Sequence, residues 1–511
     1  MRRVCIIGLD GVNLKVIRKL ISTGYVSNLG KILDKGYTYC PLSIPPYTPI
    51  AWTSIFTGVN AGKHGIFGFL SIKKQNKKLI VRLNSARDVS YPRLFEILSL
   101  NRLKSVIGNI PFTYPTNDIV RLENITVISD WASPKQFIFP SNIEDRYKDF
   151  LVDPPHKWHR FINVNEYINV VHDFLNSRLQ IYYDMSDRED ISLFVVIFSE
   201  LDWLMHRIPD IVLGRNISRI SKILQAIDKF IGTALNKFDL VVIASDHGFR
   251  IIDKIININS LLARLGLYRY KIVLDLGKLI NKYGGSLTPA SDHTHINPTL
   301  SRIFHIFLLL GQRLFTLTRV LTSEKLFRQL VLLTPISVIP DLLSSKIAML
   351  ESGSWSIYFL QDSGFNLQES VFRSIKRSGL IKGILTKHEL FWGSHINEAP
   401  DIFLIPDENV SFGTNPFADI IVNRVQSDHH PEAFLAMYGD YILRGSSQKM
   451  CSLFDITPTI LAYLGLPIPT DTDGKVLSEA FDMDLTFERK NYTTLFKKLK
   501  KLRKKARKLL T

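Results

Sequence analysis

The chain has 511 residues, 46% of them hydrophobic, with 64 Lys+Arg against 47 Asp+Glu and a formal net charge of +17. A chain of this length buries roughly 75% of its unfolded surface, so it holds a large core unaided and is neither a disordered polymer nor a small stapled scaffold. Its three cysteines, Cys5, Cys40 and Cys451, are odd in number and lack CxxC spacing; this excludes a disulfide framework and a cysteine zinc ribbon, and predicts a reducing, cytoplasmic setting.

At the N-terminus, Arg2 and Arg3 precede an apolar run that stops at Asp10. That run is too short for a secretory signal and predicts a buried strand over Val4 to Leu9. Similar runs recur at Val106 to Asn109, Leu193 to Phe198 and Leu240 to Ala244, separated by helix-sized segments. The alternation predicts βαβ units, hence an α/β fold with a mostly parallel central sheet and helices on both faces. Between about Leu261 and Leu343 long apolar stretches are broken by Arg302, Arg313 and Arg319 before reaching the roughly 18 residues of a membrane span. A helical insertion or cap is expected there. Strand and helix signals resume from Trp355 to Phe481. The expected organisation is a core discontinuous in sequence (1–260 and 346–483), an insertion (261–345) and a tail (484–511).

The charge sits mostly in that tail. Eleven Lys/Arg and no acid lie between Arg489 and Thr511, which leaves +6 for the rest of the chain. Leu495, Phe496, Leu499, Leu502, Ala506, Leu509 and Leu510 recur there at three- and four-residue intervals, the pattern of a basic amphipathic helix suited to an anionic membrane surface. A solvated, solubilising tail is the plainer reading. Nucleic-acid binding is disfavoured, because the cations are not interleaved with aromatics. The expected location is the cytoplasm, peripheral on the inner membrane surface.

Five places offer metal-competent side chains next to apolar runs or in constrained loops. Asp10 ends the first strand, where α/β sheets bind ligands. Thr48 lies between Pro46 and Pro49, whose rings restrict the backbone that presents its hydroxyl. Asp202 and His206 are four apart, so one helical turn sets them on one face. Asp246 and His247 leave the strand Leu240 to Ala244 just before Gly248. The fifth place, Ser427-Asp428-His429-His430, offers either histidine. Counting one of these, the set holds three aspartates, three histidines and a hydroxyl, the inventory of a two-metal site that could clamp a phosphoryl group. Gly58 to His64 contains a Gly-Lys pair without Walker spacing. The His293/His295 and His156/His159 pairs lack neighbouring partners in sequence and read as loop residues.

These residues together resemble the alkaline phosphatase superfamily and, within it, the type I phosphodiesterase/nucleotide pyrophosphatase family. The matching pieces are Gly8-Leu9-Asp10-Gly11, Thr48 to Gly58 with Gly62-Lys63-His64-Gly65, Asn109 to Pro115, Asp202 with His206, Ser245-Asp246-His247-Gly248, and Asp455 to Ile460 followed by Gly465-Leu466-Pro467 and Asp473-Gly474. The resemblance implies an alkaline-phosphatase-like fold with two divalent metal ions, usually zinc, and the His/Asp donors also accept manganese. It assigns Asp10, Thr48, Asp246 and His247 to one metal, and Asp202, His206 and His429 to the other. Thr48 matches the nucleophile, which would form a phosphothreonine intermediate. The chain departs from the pattern at Ala51, which offers no polar contact to phosphate, and at Ser427-Asp428-His429, where Gly-x-His is usual. Asn109 is assigned the substrate contact that other members make with an asparagine. A sulfatase is excluded, since Cys40-Pro41-Leu42 is not a C/S-x-P-x-R setting.

The leading expectation is therefore metal-dependent hydrolysis of a phosphodiester or pyrophosphate bond in a nucleotide-like or lipid-linked substrate. The second is a phosphomonoesterase or phosphate transferase, and the third, of another class, is a membrane-surface assembly protein in which the metal site is structural.

Overall fold

In the computed structural model, the residues described are 2–75, 78–144, 146–147, 150–151, 163–274, 336–361, 372–373, 375–376, 379–447 and 451–510. His156, His159, His293, His295 and most of the 261–345 stretch fall outside them.

Successive residues of a strand face opposite sides of its sheet, and in strand β1 (Val4–Leu9) both sides are apolar and fully buried. Val4 and Ile6 enter one core, whereas Cys5, Ile7 and Leu9 enter another. Along Leu193–Phe198, Leu193, Val195 and Ile197 go to the first core and Phe194, Val196 and Phe198 to the second. Each such side chain adds about 1.5–3 kcal/mol on burial, so the sheet is stable only with helices on both faces.

The other strands of this sheet are β2 (Tyr37–Tyr39), β3 (Ser105–Gly108), β4 (Ile125–Ile128), β5 (Ile138–Phe139), β6 (Leu193–Phe198), β7 (Leu240–Ala244), β8 (Leu435–Gly439) and β9 (Gly445–Ser446). Their order is β9-β2-β8-β7-β1-β6-β3-β4-β5. Only β5 and β8 run against the rest, so the sheet is mostly parallel, as expected. Helices Val164–Ser186 and Ser221–Lys237 pack on the Cys5 side, and Thr48–Thr57 and Ile456–Tyr463 on the Val4 side. The third strand ends one residue earlier than its sequence pattern suggested, because Asn109 turns out of it at φ +58°.

Gly8 fixes how closely the helix Thr48–Thr57 approaches β1. A Cβ there would lie 2.6 Å from the Trp52 ring and 2.9 Å from Ile197. Gly8→Ala is expected to cost about 1–3 kcal/mol through this overpacking, seen as a lower thermal unfolding midpoint; an unchanged midpoint would show that the Trp52 contact is not tight.

A second, smaller core lies beside the sheet and was not separable in the sequence. Strand Gly248–Asn257 continues directly from the β7 end and pairs antiparallel with Ile421–His430 and parallel with Val410–Gly413. Ile256, Leu262, Met349, Trp355, Ile357 and Phe372 belong to this core. The stretch expected to be a helical insertion is strand at both described ends: Tyr270–Leu274 pairs antiparallel with Ile336–Pro340.

The C-terminal helix Tyr492–Leu510 docks on the body. Tyr492 and Phe496 are buried, Lys500 Nζ donates to the Val89 carbonyl at 2.6 Å, and Arg503 donates to the carbonyl of Asn117 at 3.1 Å. The single apolar face read from the sequence is thus split, since Phe496 faces the body while Leu495 and Leu502 stay exposed. Among the described residues no helix is long and apolar enough to cross a membrane.

Candidate metal centre

The carboxyl ends of β1, β6 and β7 meet at one edge of the sheet, and each releases an acid there. Asp10 follows β1, and its backbone N–H bonds to the Phe198 carbonyl at 3.0 Å. Gly11 then turns at φ +79°, a left-handed conformation that glycine adopts at no cost, and its N–H reaches Asp246 Oδ1 at 3.2 Å. Beyond β6 a helix starts at Glu200 and carries Asp202 and His206 one turn apart, with His206 Nε2 3.5 Å from Asp202 Oδ1. Thr48 opens a ten-residue helix with Pro next to it, at the end where amides lack intrahelical partners and the dipole favours anions.

His429 arrives from the far end of the sequence. The pairing of Gly248–Asn257 with Ile421–His430 puts His429 opposite Phe249 and His430 opposite Gly248. Strand alternation then sends neighbouring side chains to opposite faces. His429 faces the acids: its ring stacks on His247 with centroids 3.8 Å apart, and its Nε2 is 2.9 Å from His206 Nε2 and 3.6 Å from Asp202 Oδ1. His430 instead accepts from the Glu432 N–H at 3.2 Å. The ambiguity between the two is resolved by register.

Thus Asp10, Thr48, Asp202, His206, Asp246, His247 and His429 converge. Thr48 Oγ1 lies 3.2 Å from His247 Nε2, which is 3.3 Å from Asp246 Oδ2 and 3.7 Å from Asp10 Oδ1. Two groups of ligand atoms lie within 4.8 Å of one another: Asp10, Asp246 and His247, and Asp202, His247 and His429. His247 stands between them.

Whether this donor set fits metal ions is tested by its unmet polar atoms. Asp10 Oδ1, Asp202 Oδ1 and Asp246 Oδ2 are buried without hydrogen-bond partners, a cost of about 1–3 kcal/mol or more each. His429 Nδ1 donates to the Pro46 carbonyl at 2.8 Å, and His247 Nδ1 is 3.2 Å from the Gly248 carbonyl. These carbonyls favour the tautomer that turns an Nε2 lone pair inward. Burial and the charges of Asp246 and Asp202 push the Asp10 carboxyl well up, and burial pushes Asp246 up to about 6. Burial works to raise Asp202, but His206 and then His429 outweigh it and hold the carboxyl near 2; burial works to lower His429, but Asp202 outweighs it and raises the imidazole to about 9. Buried aspartate oxygens and imidazole nitrogens suit zinc or manganese.

Asn109 is not part of this convergence. Its amide donates to the Ile197 carbonyl at 2.8 Å and accepts from the Trp131 N–H at 3.0 Å, with Ser199 Oγ at 3.3 Å. Both ends of the side chain are engaged, so it braces the ends of β3 and β6. Asp473 of the last motif likewise serves the frame, binding the Asn60 N–H at 2.9 Å and Lys63 Nζ at 2.6 Å.

Sequence reading missed Glu351, which no local motif marks. Its carboxyl accepts from Tyr47 Oη at 2.8 Å and from the Leu70 N–H at 3.2 Å, tying the residue before Thr48 to two distant segments. Burial pushes Glu351 up to about 7, against those hydrogen bonds. A folded-state value above the unfolded one, about 4.3, means the folded chain holds more protons across that window. Stability from this group therefore falls as pH rises from about 4.5 to about 7. Glu351→Gln is expected to remove this part of the slope when unfolding midpoints of the two proteins are compared across the window; parallel pH profiles would refute it.

The family model for type I phosphodiesterase / nucleotide pyrophosphatase matches residues 4–300. The chain belongs to that family. It is a hydrolase of the phosphodiesterase and pyrophosphatase class. The matched stretch of this phosphodiesterase-family chain contains Asp10, Thr48, Asp202, His206, Asp246 and His247, whereas His429 lies beyond it and joins through strand pairing. Murine ectonucleotide pyrophosphatase/phosphodiesterase 5 is similar in structure, with a TM-score of 0.52 at 11% identity over 94% of this chain and 100% of that one. The human protein of that name gives 0.51 at 11% identity over 94% and 100%. Alkaline phosphatase PafA gives 0.52 at 14% identity over 94% and 99%. At such identities these likenesses concern the fold. No curated protein sequence matches the chain.

Proposed function

We propose that the chain hydrolyses a phosphodiester or pyrophosphate bond, in a nucleotide-like or lipid-linked substrate, through a covalent intermediate on Thr48 at a site for two divalent metals. The observation that carries this reading is the set of three partnerless buried carboxylate oxygens, with His247 and His429, around the Thr48 hydroxyl. Asp10, Asp246, His247 and Thr48 would hold one ion, and Asp202, His206 and His429 the other; zinc is the first choice and manganese the second. Such ions, when bound, stabilise phosphoryl charge and lower the pKa of bound hydroxyl groups.

The chain itself supplies position. The turn closed by Pro46 and Pro49 and the close fit of Trp52 on Gly8 hold Thr48 at its helix start. Thr48 Oγ forms a bond to phosphorus as one ester or anhydride P–O bond breaks; the departing oxygen keeps the electron pair of that bond and takes up, through solvent, the proton the hydroxyl releases. Water then cleaves the Thr48–phosphorus bond and restores the hydroxyl. The diester reading is preferred to a monoester, which carries about one more negative charge. Ala51 offers that charge no contact, and Glu351 adds an acid beside Tyr47.

The three thiols stand unpaired, with Cys5 and Cys451 buried, which supports a cytoplasmic location. The test is zinc- or manganese-supported hydrolysis of bis(p-nitrophenyl) phosphate against p-nitrophenyl phosphate. A higher kcat/KM on the diester is expected. Preference for the monoester would replace this reading with a phosphatase or phosphate transferase, and no turnover of either would favour an assembly role.

A further inference from the structure

The C-terminal helix has a face that the body leaves uncovered. Tyr492, Phe496, Lys500 and Arg503 repeat at intervals of four, four and three, which places them on one side of a helix turning about 100° per residue. This side is the docked one: Tyr492 and Phe496 are buried, Tyr492 Oη accepts from Asn101 Nδ2 at 2.8 Å, and Lys500 and Arg503 cap carbonyls of the body. Leu495 and Leu502 are two turns apart and lie on a different stripe, 38% and 53% exposed. Lys498 and Lys505, each three residues further on, flank that stripe, and with Lys497 and Lys501 they are exposed.

Lys500 also reaches the Arg87 carbonyl at 3.3 Å, and Arg82 pairs with Asp88, so the helix and the base of the hairpin Leu70–Gln75/Lys78–Leu83 share one turn. In that hairpin Ile80 and Leu83 are exposed, Leu83 at 71%, and being three residues apart on one strand they face opposite sides of it. The hairpin begins at Leu70, whose N–H is bonded to Glu351, itself bonded to the residue before Thr48. Exposed leucines framed by lysines would lose apolar hydration and gain counter-charge together only on a surface that is both greasy and negative. A purely ionic partner such as RNA would use the lysines and leave the leucines idle.

We propose that this helix face docks the protein on an anionic lipid bilayer. Rigid docking of Tyr492 and Phe496 makes the helix a fixed foot with its leucine stripe preset, and screening by salt must weaken the attachment.

The test is flotation of the full-length protein with vesicles of phosphatidylcholine, and of equimolar phosphatidylcholine and phosphatidylglycerol. The wild type is expected to float with the anionic vesicles only. Leu495→Glu/Leu502→Glu, and separately Lys498→Glu/Lys505→Glu, are each expected to weaken binding at least about tenfold. Both pairs are exposed, so unfolding midpoints should stay at the wild-type value and exclude misfolding as the cause. The proposal is overturned if the wild type does not float, or if the folded leucine variant binds as well as wild type. It is also overturned if the folded lysine variant floats as well as wild type. Binding is read without turnover, so its failure is independent of the phosphodiesterase reading.

Discussion

Thr48→Ala is expected to lose at least about a thousandfold in kcat on bis(p-nitrophenyl) phosphate, the scale seen when a covalent nucleophile is removed. Thr48 is 7% exposed and begins the helix that packs on Gly8 through Trp52. Replacing its side chain removes one hydroxyl and one methyl without disturbing Trp52, so the unfolding midpoint should move little. A large loss of turnover with the fold retained separates chemistry from stability. Thr48→Ser keeps the hydroxyl and should retain measurable turnover. Wild-type turnover by Thr48→Ala would exclude the covalent route.

Stripping divalent metal with a chelator should abolish turnover of the same substrate, by about a thousandfold or more if charge stabilisation worth several kcal/mol is lost. The protein should also become less stable, because ions that bind only the folded chain stabilise it by mass action. Zinc or manganese should restore activity and raise the unfolding midpoint together. Asp246→Ala removes a ligand shared with Gly11 and should blunt both responses. Uptake must compete with protons on His429, raised to about 9, and on Asp246, raised to about 6. Apparent metal affinity is therefore expected to fall as pH drops, with proton release on binding measurable in weakly buffered solution. Full activity in the stripped protein would point to a different chemistry.

The β1, β6 and β7 strands were legible because each is a short, continuous apolar run, buried on two sides and terminated by a polar residue. The same fact made Asp10, Asp202 and Asp246-His247 visible as strand-end groups. From local pattern His429 was legible only as one of a pair, and the resemblance alone singled it out, since the choice between it and His430 depends on register with a strand some 180 residues away in sequence. Glu351 left no local signature, its partners being Tyr47 and Leu70. The contacts of Asn109 were not legible, because a resemblance at its position says nothing about which groups its amide meets once β3 and β6 lie side by side. In the tail, periodicity showed a helix but merged two stripes that tertiary contacts separate.

The most direct test of the account is to quench the metal-loaded protein during turnover of bis(p-nitrophenyl) phosphate and locate the adduct by peptide mass spectrometry. A p-nitrophenyl phosphoryl group on Thr48, absent from Thr48→Ala, is the predicted result. An adduct on another residue, or turnover with a burst and no adduct on Thr48, would contradict it.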